Sequence, residues 1–263
     1  MTIIQAVIIA IVEGLTEFLP ISSTAHMKFM NPLIGVQTNT FTYLFEIVIQ
    51  FAAILSVVVL FWKKFFDVNN FKFYLKLIIA VIPSLFFGAI LKKHIDAALG
   101  NLVFIAVVMI LGGIVLLFVD KWFTKNEIHN EKQINNITAL KIGCFQVLSI
   151  VFPGLSRSAA TIIGGMSQKL TRKAAAEFSF FLAVPTMFAA SAKSLLDVYQ
   201  EGSLSFTTDE ITTLLIGCIV SFIVAGLAIK LFVQFVKDKG FRLFGFYRII
   251  VGSIILIILL INK

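Results

Sequence analysis

Six apolar runs, each about as long as a bilayer's lipid core is thick, constrain the fold of this chain most strongly. A membrane-spanning helix needs about 20 predominantly apolar residues. The runs lie at approximately 41–62, 74–91, 102–119, 174–196, 211–236 and 243–261. Only 14% of the 263 residues are charged and 59% are hydrophobic, a composition too apolar for a soluble domain. The sequence therefore predicts an all-α polytopic membrane protein with six transmembrane helices.

Two further apolar segments, 2–19 and 137–152, each run into a proline that is followed by polar residues. Only a short second helix can follow each interruption before the next loop begins. Irregular backbone at membrane depth is tolerated only where it is buried in protein or lines a wet cavity. We therefore predict two re-entrant helical hairpins, 2–35 and 137–169, each entering and leaving the membrane on one side.

The two hairpins resemble each other, which predicts an internal repeat. A shift of 133 residues superposes Pro20 on Pro153, together with four identical apolar residues. Each half, 1–125 and 126–263, then contains one hairpin and three spans. Because three is an odd number, the two halves have opposite orientations, a pattern common in transporters. We expect an inverted-topology repeat within a single membrane domain.

The basic residues predict the orientation in the membrane. Most of them lie in the loops 63–73, 120–173 and 237–242, which the positive-inside rule assigns to the cytoplasm. Both termini are then outside. The net charge of +8 is distributed over these short clusters and forms no continuous basic stripe, so we expect no nucleic-acid partner.

The first hairpin contains two acidic residues inside an otherwise apolar segment. Glu13 and Glu17 are four residues apart, hence on one helical face, and ionisable residues within a membrane are functional by default. Two such carboxylates require a shared proton, a cation or a partner on a neighbouring helix. A divalent metal, Mg²⁺ first and Ca²⁺ as the alternative, binds carboxylates and substrate phosphate together.

Three hydroxyl residues, Ser22, Ser23 and Thr24, begin the second helix of this hairpin. Such residues are good helix caps, which is the structural alternative to a catalytic role. His26 follows Ser23 by three residues, so the imidazole is expected on the same face, where it can act as a base for the hydroxyl. A packing role is the alternative for His26.

The second hairpin supplies a cation among hydroxyl residues. Arg157 is expected near the middle of the membrane, where an unpaired guanidinium is costly. Its partner is either a glutamate of the first hairpin or a phosphate, which a guanidinium binds through paired hydrogen bonds. The free N–H groups at the start of each short helix also favour an anion. The two hairpins together predict an anion site.

Other polar residues within the spans are weaker candidates for this site. Glu46 and Gln50 lie one turn apart on the first span, and Glu177 lies early in the fourth. For Arg248 in the last span the sequence leaves pairing and snorkelling toward the interface both open.

Two long motifs resemble the signatures of the undecaprenyl-pyrophosphate phosphatase family, the bacitracin-resistance membrane phosphatases. The first reads EGLTEFLPISSTAH from Glu13 to His26, and the second reads PGLSRSAAT from Pro153 to Thr161. The similarity extends over essentially the whole chain. Ala25 is a departure, because relatives often have glycine at this position.

The resemblance implies hydrolysis of undecaprenyl pyrophosphate to undecaprenyl phosphate and inorganic phosphate, which recycles the lipid carrier for cell-wall synthesis and confers bacitracin resistance. It implies metal dependence, a bacterial plasma-membrane location and a site reached from the outer face. By the same resemblance Ser23 is the nucleophile, His26 and Glu17 assist proton transfer, Glu13 and Glu17 contact the metal, and Arg157 holds phosphate. Further phosphate donors are then expected among the hydroxyls of Ser22, Thr24, Ser156, Ser158 and Thr161.

Two alternatives stay open at this point. A lipid-phosphate transporter or flippase would use the same anion site and the same broken helices. Within the enzyme hypothesis, water attacks the phosphorus directly if Ser23 serves only as a donor. The expected partners are the polyprenyl pyrophosphate and membrane lipid, and the sequence leaves a homodimer open.

Overall fold

The structure is a computed structural model that describes residues 1–67, 71–200 and 207–261. These residues form twelve α-helices and one 3₁₀ turn, Glu131–Gln133. The helices are α1 (Ile3–Thr16), α2 (Ser23–Leu33), α3 (Thr40–Leu60), α4 (Trp62–Phe65), α5 (Phe71–Ile90), α6 (Lys92–Leu99), α7 (Leu102–Trp122), α8 (Asn136–Val151), α9 (Arg157–Ser167), α10 (Arg172–Gln200), α11 (Thr208–Lys239) and α12 (Arg242–Ile261).

Six helices of the described residues are long and apolar enough to cross a membrane, namely α3, α5, α7, α10, α11 and α12. They coincide with the six predicted spans, so the predicted all-α polytopic membrane fold is confirmed. α10 and α11, with 29 and 32 residues, extend beyond the predicted limits at both ends. The short helices α4 and α6 were not predicted. The predicted cytoplasmic loop 63–73 lies partly outside the described residues.

Each predicted hairpin is a pair of short helices joined by an irregular turn. α1 and α8 contain 14 and 16 residues, and α2 and α9 contain 11 each. At the helical rise per residue, α1 and α8 are about 21 and 24 Å long, shorter than the roughly 30 Å hydrocarbon core. These lengths agree with re-entrant hairpins, which stay a prediction.

The turns of the two hairpins have similar backbones. Ser22 and Ser156 are the N-caps of α2 and α9, with φ of 72° and 76°. Each hydroxyl accepts a hydrogen bond from the N–H three residues further on, at 3.4 and 3.3 Å. Positive φ is uncommon for serine, so its occurrence in both turns supports the predicted repeat. The caps align at a shift of 134 residues, one more than Pro20 and Pro153.

Helices in corresponding positions of the two halves, α1 with α8 and α5 with α11, make reciprocal contacts, as two related halves require. α1 packs on α11 and α8 packs on α5, while α7 and α12 pack on each other. Glycines allow the first two contacts, because a Cβ at Gly14 would meet the backbone of Ser221, and one at Gly143 that of Ala80. These contacts support the inverted repeat, which remains a prediction, as does the division of the chain after residue 125.

Candidate active site

The turns of both hairpins open into one cavity of about 340 Å³. Helices α3, α6, α8 and α10 form its remaining walls. The residues that line it are Glu17, Ser22, Ser23, Thr24, Gln50, Ile95, Leu99, Ser149, Ile150, Pro153, Gly154, Ser156, Arg157, Met187 and Ala190. Seven of the predicted site residues are among them: Glu17, Ser22, Ser23, Thr24, Gln50, Ser156 and Arg157. The structure therefore brings the two motifs together, as their sequences predicted.

Glu17 connects the two hairpins. It is the C-cap of α1, and Ser23 follows across the turn. One carboxylate oxygen, Oε2, accepts a hydrogen bond from Ser23 Oγ at 2.6 Å, and the other, Oε1, accepts from Arg157 Nη2 at 3.0 Å. The side chains of Glu17 and Arg157 are only 4% and 11% exposed, so water screens this pair weakly. Glu17 is thus placed to accept the Ser23 proton.

Arg157 retains hydrogen-bonding capacity beyond its ion pair. Its Nη1 donates to the carbonyl of Ser179 at 3.2 Å, and its Nε has no partner within the described residues. The ion pair with Glu17 is the structural alternative predicted for this arginine. The position of Arg157 on the cavity wall fits a second partner, and a phosphate oxygen has the required charge and geometry.

His26 forms no hydrogen bond with Ser23 in the part of the chain that the structure describes, which differs from the expected pairing of the two side chains. Its Nδ1 donates to the carbonyl of Ser22 at 2.7 Å, and its Nε2 is 2.7 Å from the Tyr247 hydroxyl. Because a carbonyl only accepts, Nδ1 carries the proton, and in the neutral ring Nε2 accepts from Tyr247. The two rings are stacked with centroids 5.6 Å apart. Both nitrogens are therefore occupied outside the cavity wall.

Ser158 and Thr161, predicted as phosphate donors, are not among the residues that line the cavity. Ser158 Oγ donates to the carbonyl of Leu19 at 2.8 Å, which ties the second hairpin to the first. Thr161 Oγ1 bonds to the Ser179 hydroxyl at 2.7 Å, which ties α9 to α10. Both hydroxyls are buried and serve contacts between elements, a use that the motif alone does not distinguish from phosphate binding.

Glu13 is fully buried, and neither of its carboxylate oxygens has a hydrogen-bond partner of normal geometry within the described residues, although the Glu17 and Gln50 side chains lie close enough to interact with it. The charged groups that act on it are Glu17 and Glu46, both acidic. A buried carboxylate in such surroundings requires a cation or a proton. Within the described residues no three His, Cys, Asp or Glu side chains suffice to hold a metal. Glu17 lines the cavity and Glu13 does not, so Glu17 is the carboxylate that an ion bound to a phosphate in the cavity would contact first. Mg²⁺ commonly binds one or two carboxylates and completes its shell with substrate phosphate and water.

The three weaker candidates have different positions. Gln50 lines the cavity, and its amide nitrogen is 3.5 Å from Glu17 Oε2. Glu46 accepts a hydrogen bond from Asn31 and is not among the lining residues. Glu177 forms ion pairs with two lysines, also away from the cavity wall. Of the three, only Gln50 faces the site.

Arg248 is fully buried behind both turns, a position that the sequence left open. Its guanidinium donates to the carbonyl of Pro20 in the first turn at 3.0 Å, and to Gly154 and Leu155 in the second at 2.8 and 2.6 Å. The signal in the sequence was a lone arginine inside a span whose only other charge, Arg242, lies at its first residue.

Comparison with known proteins finds similarity over nearly the whole chain. A family model described as bacitracin resistance protein BacA matches residues 6–254. A Flavobacterium psychrophilum protein named undecaprenyl-diphosphatase is 51% identical over 98% of this chain and 96% of its own length. Proteins of the same name from Porphyromonas gingivalis and Aquifex aeolicus are 47% and 43% identical, over 99% and 97% of this chain and 98% and 97% of their own lengths.

Proposed function

The chain belongs to the family of the bacitracin resistance protein BacA, and from this premise we propose that it is an undecaprenyl-diphosphatase. It hydrolyses undecaprenyl pyrophosphate to undecaprenyl phosphate and inorganic phosphate, which returns the lipid carrier to cell-wall synthesis and confers bacitracin resistance. The observation that carries the proposal is the chain of contacts from Ser23 through Glu17 to Arg157 inside the cavity. It combines a nucleophile, a proton acceptor and a phosphate-binding cation.

In the proposed first step, Ser23 Oγ attacks the terminal phosphorus and its proton passes to Glu17. The bond from that phosphorus to the bridging oxygen breaks, and the bridging oxygen leaves with the electron pair as part of undecaprenyl phosphate. A water molecule then attacks the phosphoserine. Ser23 Oγ leaves and recovers a proton from Glu17, inorganic phosphate departs, and one water proton is released. Support comes from the 2.6 Å hydrogen bond between Ser23 and Glu17, within the range in which a general base acts.

The pyrophosphate requires positive charge and hydrogen-bond donors around its oxygens. Arg157 is proposed to supply both, with the N-termini of α2 and α9 and the hydroxyls of Ser22, Thr24 and Ser156 as further donors. All four side chains line the cavity. Since phosphoryl transfer depends mainly on positioning and charge neutralisation, such a donor set suits the reaction.

A divalent metal, Mg²⁺ before Ca²⁺, is proposed to be held by Glu13 and Glu17. It would supply positive charge against the phosphate oxygens. The support is the buried carboxylate of Glu13, whose oxygens have no hydrogen-bond partner of normal geometry within the described residues and which lies near the Glu17 carboxylate. Glu13→Gln should raise the Mg²⁺ concentration needed for half-maximal activity. An unchanged metal titration would remove Glu13 from the metal site.

Direct attack by water is the alternative mechanism, with Ser23 as a donor only. His26 is then less suited than Glu17 to activate the attacking group, because both of its nitrogens already have partners. A role for His26 in proton transfer would require release from Tyr247. The contacts favour Glu17 as the base in either mechanism.

Phosphate release by purified protein in detergent tests the proposed function. Undecaprenyl pyrophosphate is supplied with Mg²⁺, with a chelator, and with a chelator followed by excess Mg²⁺. We expect release with Mg²⁺, loss with the chelator and recovery on re-addition. A flippase without phosphatase activity releases nothing under any condition, because detergent leaves no bilayer to cross. That result would overturn the proposal.

The enzyme is a multi-pass membrane protein, and we propose the bacterial plasma membrane with the site open to the outer face. Support comes from Ile95 and Leu99 on α6, which line the cavity and belong to the loop between the second and third spans. This loop is expected outside, because the loops before and after it, 63–73 and 120–173, are the ones that the positive-inside rule assigns to the cytoplasm. Single cysteines in a Cys-free background test this orientation. A cysteine at Lys92 should react with an impermeant reagent added outside intact cells, and one at Lys125 should not. The opposite pattern would reverse the topology.

A further inference from the structure

Arg248 on α12 has an unusual environment for a buried arginine. The side chain is fully buried, and buried charges in proteins are normally paired with an opposite charge. Within the described residues, the hydrogen-bond partners of the Arg248 guanidinium are all backbone carbonyls. Besides Pro20, Gly154 and Leu155, its Nε donates to the carbonyl of Met109 on α7 at 3.0 Å. Four hydrogen bonds thus hold one planar group between a helix and the two turns.

These contacts join the segments that carry the reacting groups. Pro20 precedes Ser23 by three residues, and Leu155 precedes Arg157 by two. A guanidinium is rigid and planar, so the carbonyls bound to it are fixed relative to each other. We propose that Arg248 is a positioning residue, which sets the distance between Ser23 and Arg157 by clamping both turns from behind. This inference rests on the proposed function of Ser23 and Arg157.

Gly112 on α7 gives independent support. A Cβ added at Gly112 would overlap Nη2 and Cζ of Arg248, so the absence of a side chain there leaves room for the guanidinium. Gly112→Ala should therefore displace the guanidinium from its carbonyls while the arginine itself is retained. The chain thus offers two different ways to disturb the same clamp.

Lysine cannot replace Arg248 in this role. An ammonium donates from a single point, whereas the carbonyls of Pro20, Gly154 and Met109 bind different nitrogens or edges of the guanidinium. Arg248→Lys keeps the buried charge and releases at least part of the clamp. The lysine variant consequently separates positioning from electrostatics.

The first experiment measures kcat and KM of Arg248→Lys and Gly112→Ala with undecaprenyl pyrophosphate in detergent, together with their unfolding temperatures. Both variants should lose roughly 10- to 100-fold in kcat, the loss typical of a displacement of about 1 Å, with KM changed only a few-fold. The matched controls are Arg172→Lys, whose ion pair with Asp120 lies outside the cavity, and Gly88→Ala, where a Cβ meets nothing within 4 Å. The controls should keep wild-type kcat.

The second experiment is a double-mutant cycle with Arg157→Lys. If Arg248 acts by placing Arg157, the double variant should lose little more kcat than Arg157→Lys alone, because the misplaced group is already impaired. A double variant whose loss equals the product of the two single losses would overturn the inference. A wild-type kcat in Arg248→Lys would also overturn the inference. So would a failure of both clamp variants to fold while the controls fold, because Arg248 would then determine only the fold.

The two proposals fail in different ways. If wild-type protein releases no phosphate, the proposed function is wrong and the cycle has no signal. If wild-type protein is active and Arg248→Lys is equally active, the function stands and the positioning role is wrong.

Discussion

Glu17→Gln is the substitution whose consequences follow most directly from the structure. The carboxylate accepts hydrogen bonds from Ser23 at 2.6 Å and from Arg157 at 3.0 Å. The amide retains an oxygen that can accept from one of them, but it cannot take a proton at neutral pH. Loss of a general base costs roughly 10²- to 10⁴-fold in rate, or about 2.7–5.5 kcal/mol in the activation barrier. We expect kcat to fall by this factor at saturating Mg²⁺.

Glu17→Gln should leave KM nearly unchanged or lower it. In the free enzyme Arg157 is paired with Glu17, so substrate phosphate must compete with that carboxylate for the guanidinium. The neutral amide in Glu17→Gln weakens this competition, so substrate binding should not weaken. Steady-state phosphate release gives both constants, and Glu177→Gln, the same change at a partly buried, ion-paired site away from the cavity, is the control. A variant with wild-type kcat and a KM raised about tenfold, a binding loss near 1.4 kcal/mol, would refute Glu17 as the base.

Three further predictions concern the site and the ion pair between Lys64 and Glu131. Ser23→Ala should still bind substrate but lose at least roughly 10²-fold in kcat, whereas Ser22→Ala, which loses a cap and a donor, should lose less; the reverse order would contradict Ser23 as nucleophile. Arg157→Lys should lose most of its turnover while remaining folded, because lysine lacks the paired donors, and near-normal turnover would make Arg157 a counter-ion only. Burial alone would raise the pKa of Glu131, but the hydrogen bond from Lys64 lowers it below the usual value. The ionised Glu131 carboxylate therefore stabilises the fold above the pKa that it has in the unfolded chain, and this stabilisation is lost as the pH falls through its pKa in the folded protein. Glu131→Gln should lower the unfolding temperature near pH 7 and progressively less below about pH 4. A decrease in unfolding temperature that is independent of pH would exclude a role of the Glu131 charge in stability.

The fold could be predicted from the sequence because membrane spans have a simple compositional signal. Length and apolar character located all six spans, and prolines at Pro20 and Pro153 located both turns. The limits of α10 and α11 were less well predicted, since helices continue past the lipid core where polar residues are also good helix formers. The amphipathic helix α6, which forms part of the cavity wall, was too short and too polar to be recognised as part of a membrane domain.

The sequence predicted which residues form the site better than it predicted the contacts among them. The motifs gave Glu17, Ser23 and Arg157, but helical spacing suggested His26 as the partner of Ser23. Both residues do lie in α2, as expected, but Ser23 is its first residue, and its hydroxyl donates across the turn to Glu17. His26 instead meets Tyr247, 221 residues away along the chain, a contact with no local signature.

The role of Arg248 could not be predicted for a related reason. Its hydrogen-bond partners within the described residues are backbone carbonyls. Every residue has a backbone carbonyl, so no side-chain pattern identifies these partners. The sequence could show only that an arginine lies inside a span, where it must find partners.

The stereochemistry at the transferred phosphorus tests the central claim, covalent catalysis by Ser23, most directly. The substrate is an undecaprenyl pyrophosphate analogue with a terminal thiophosphoryl group made chiral by oxygen isotopes, hydrolysed in water carrying the third isotope. Each in-line displacement inverts the configuration at phosphorus. Attack by Ser23 followed by attack of water involves two inversions, so the account predicts inorganic thiophosphate with net retention, whether or not the phosphoserine accumulates. Net inversion would show a single displacement by water and would contradict it.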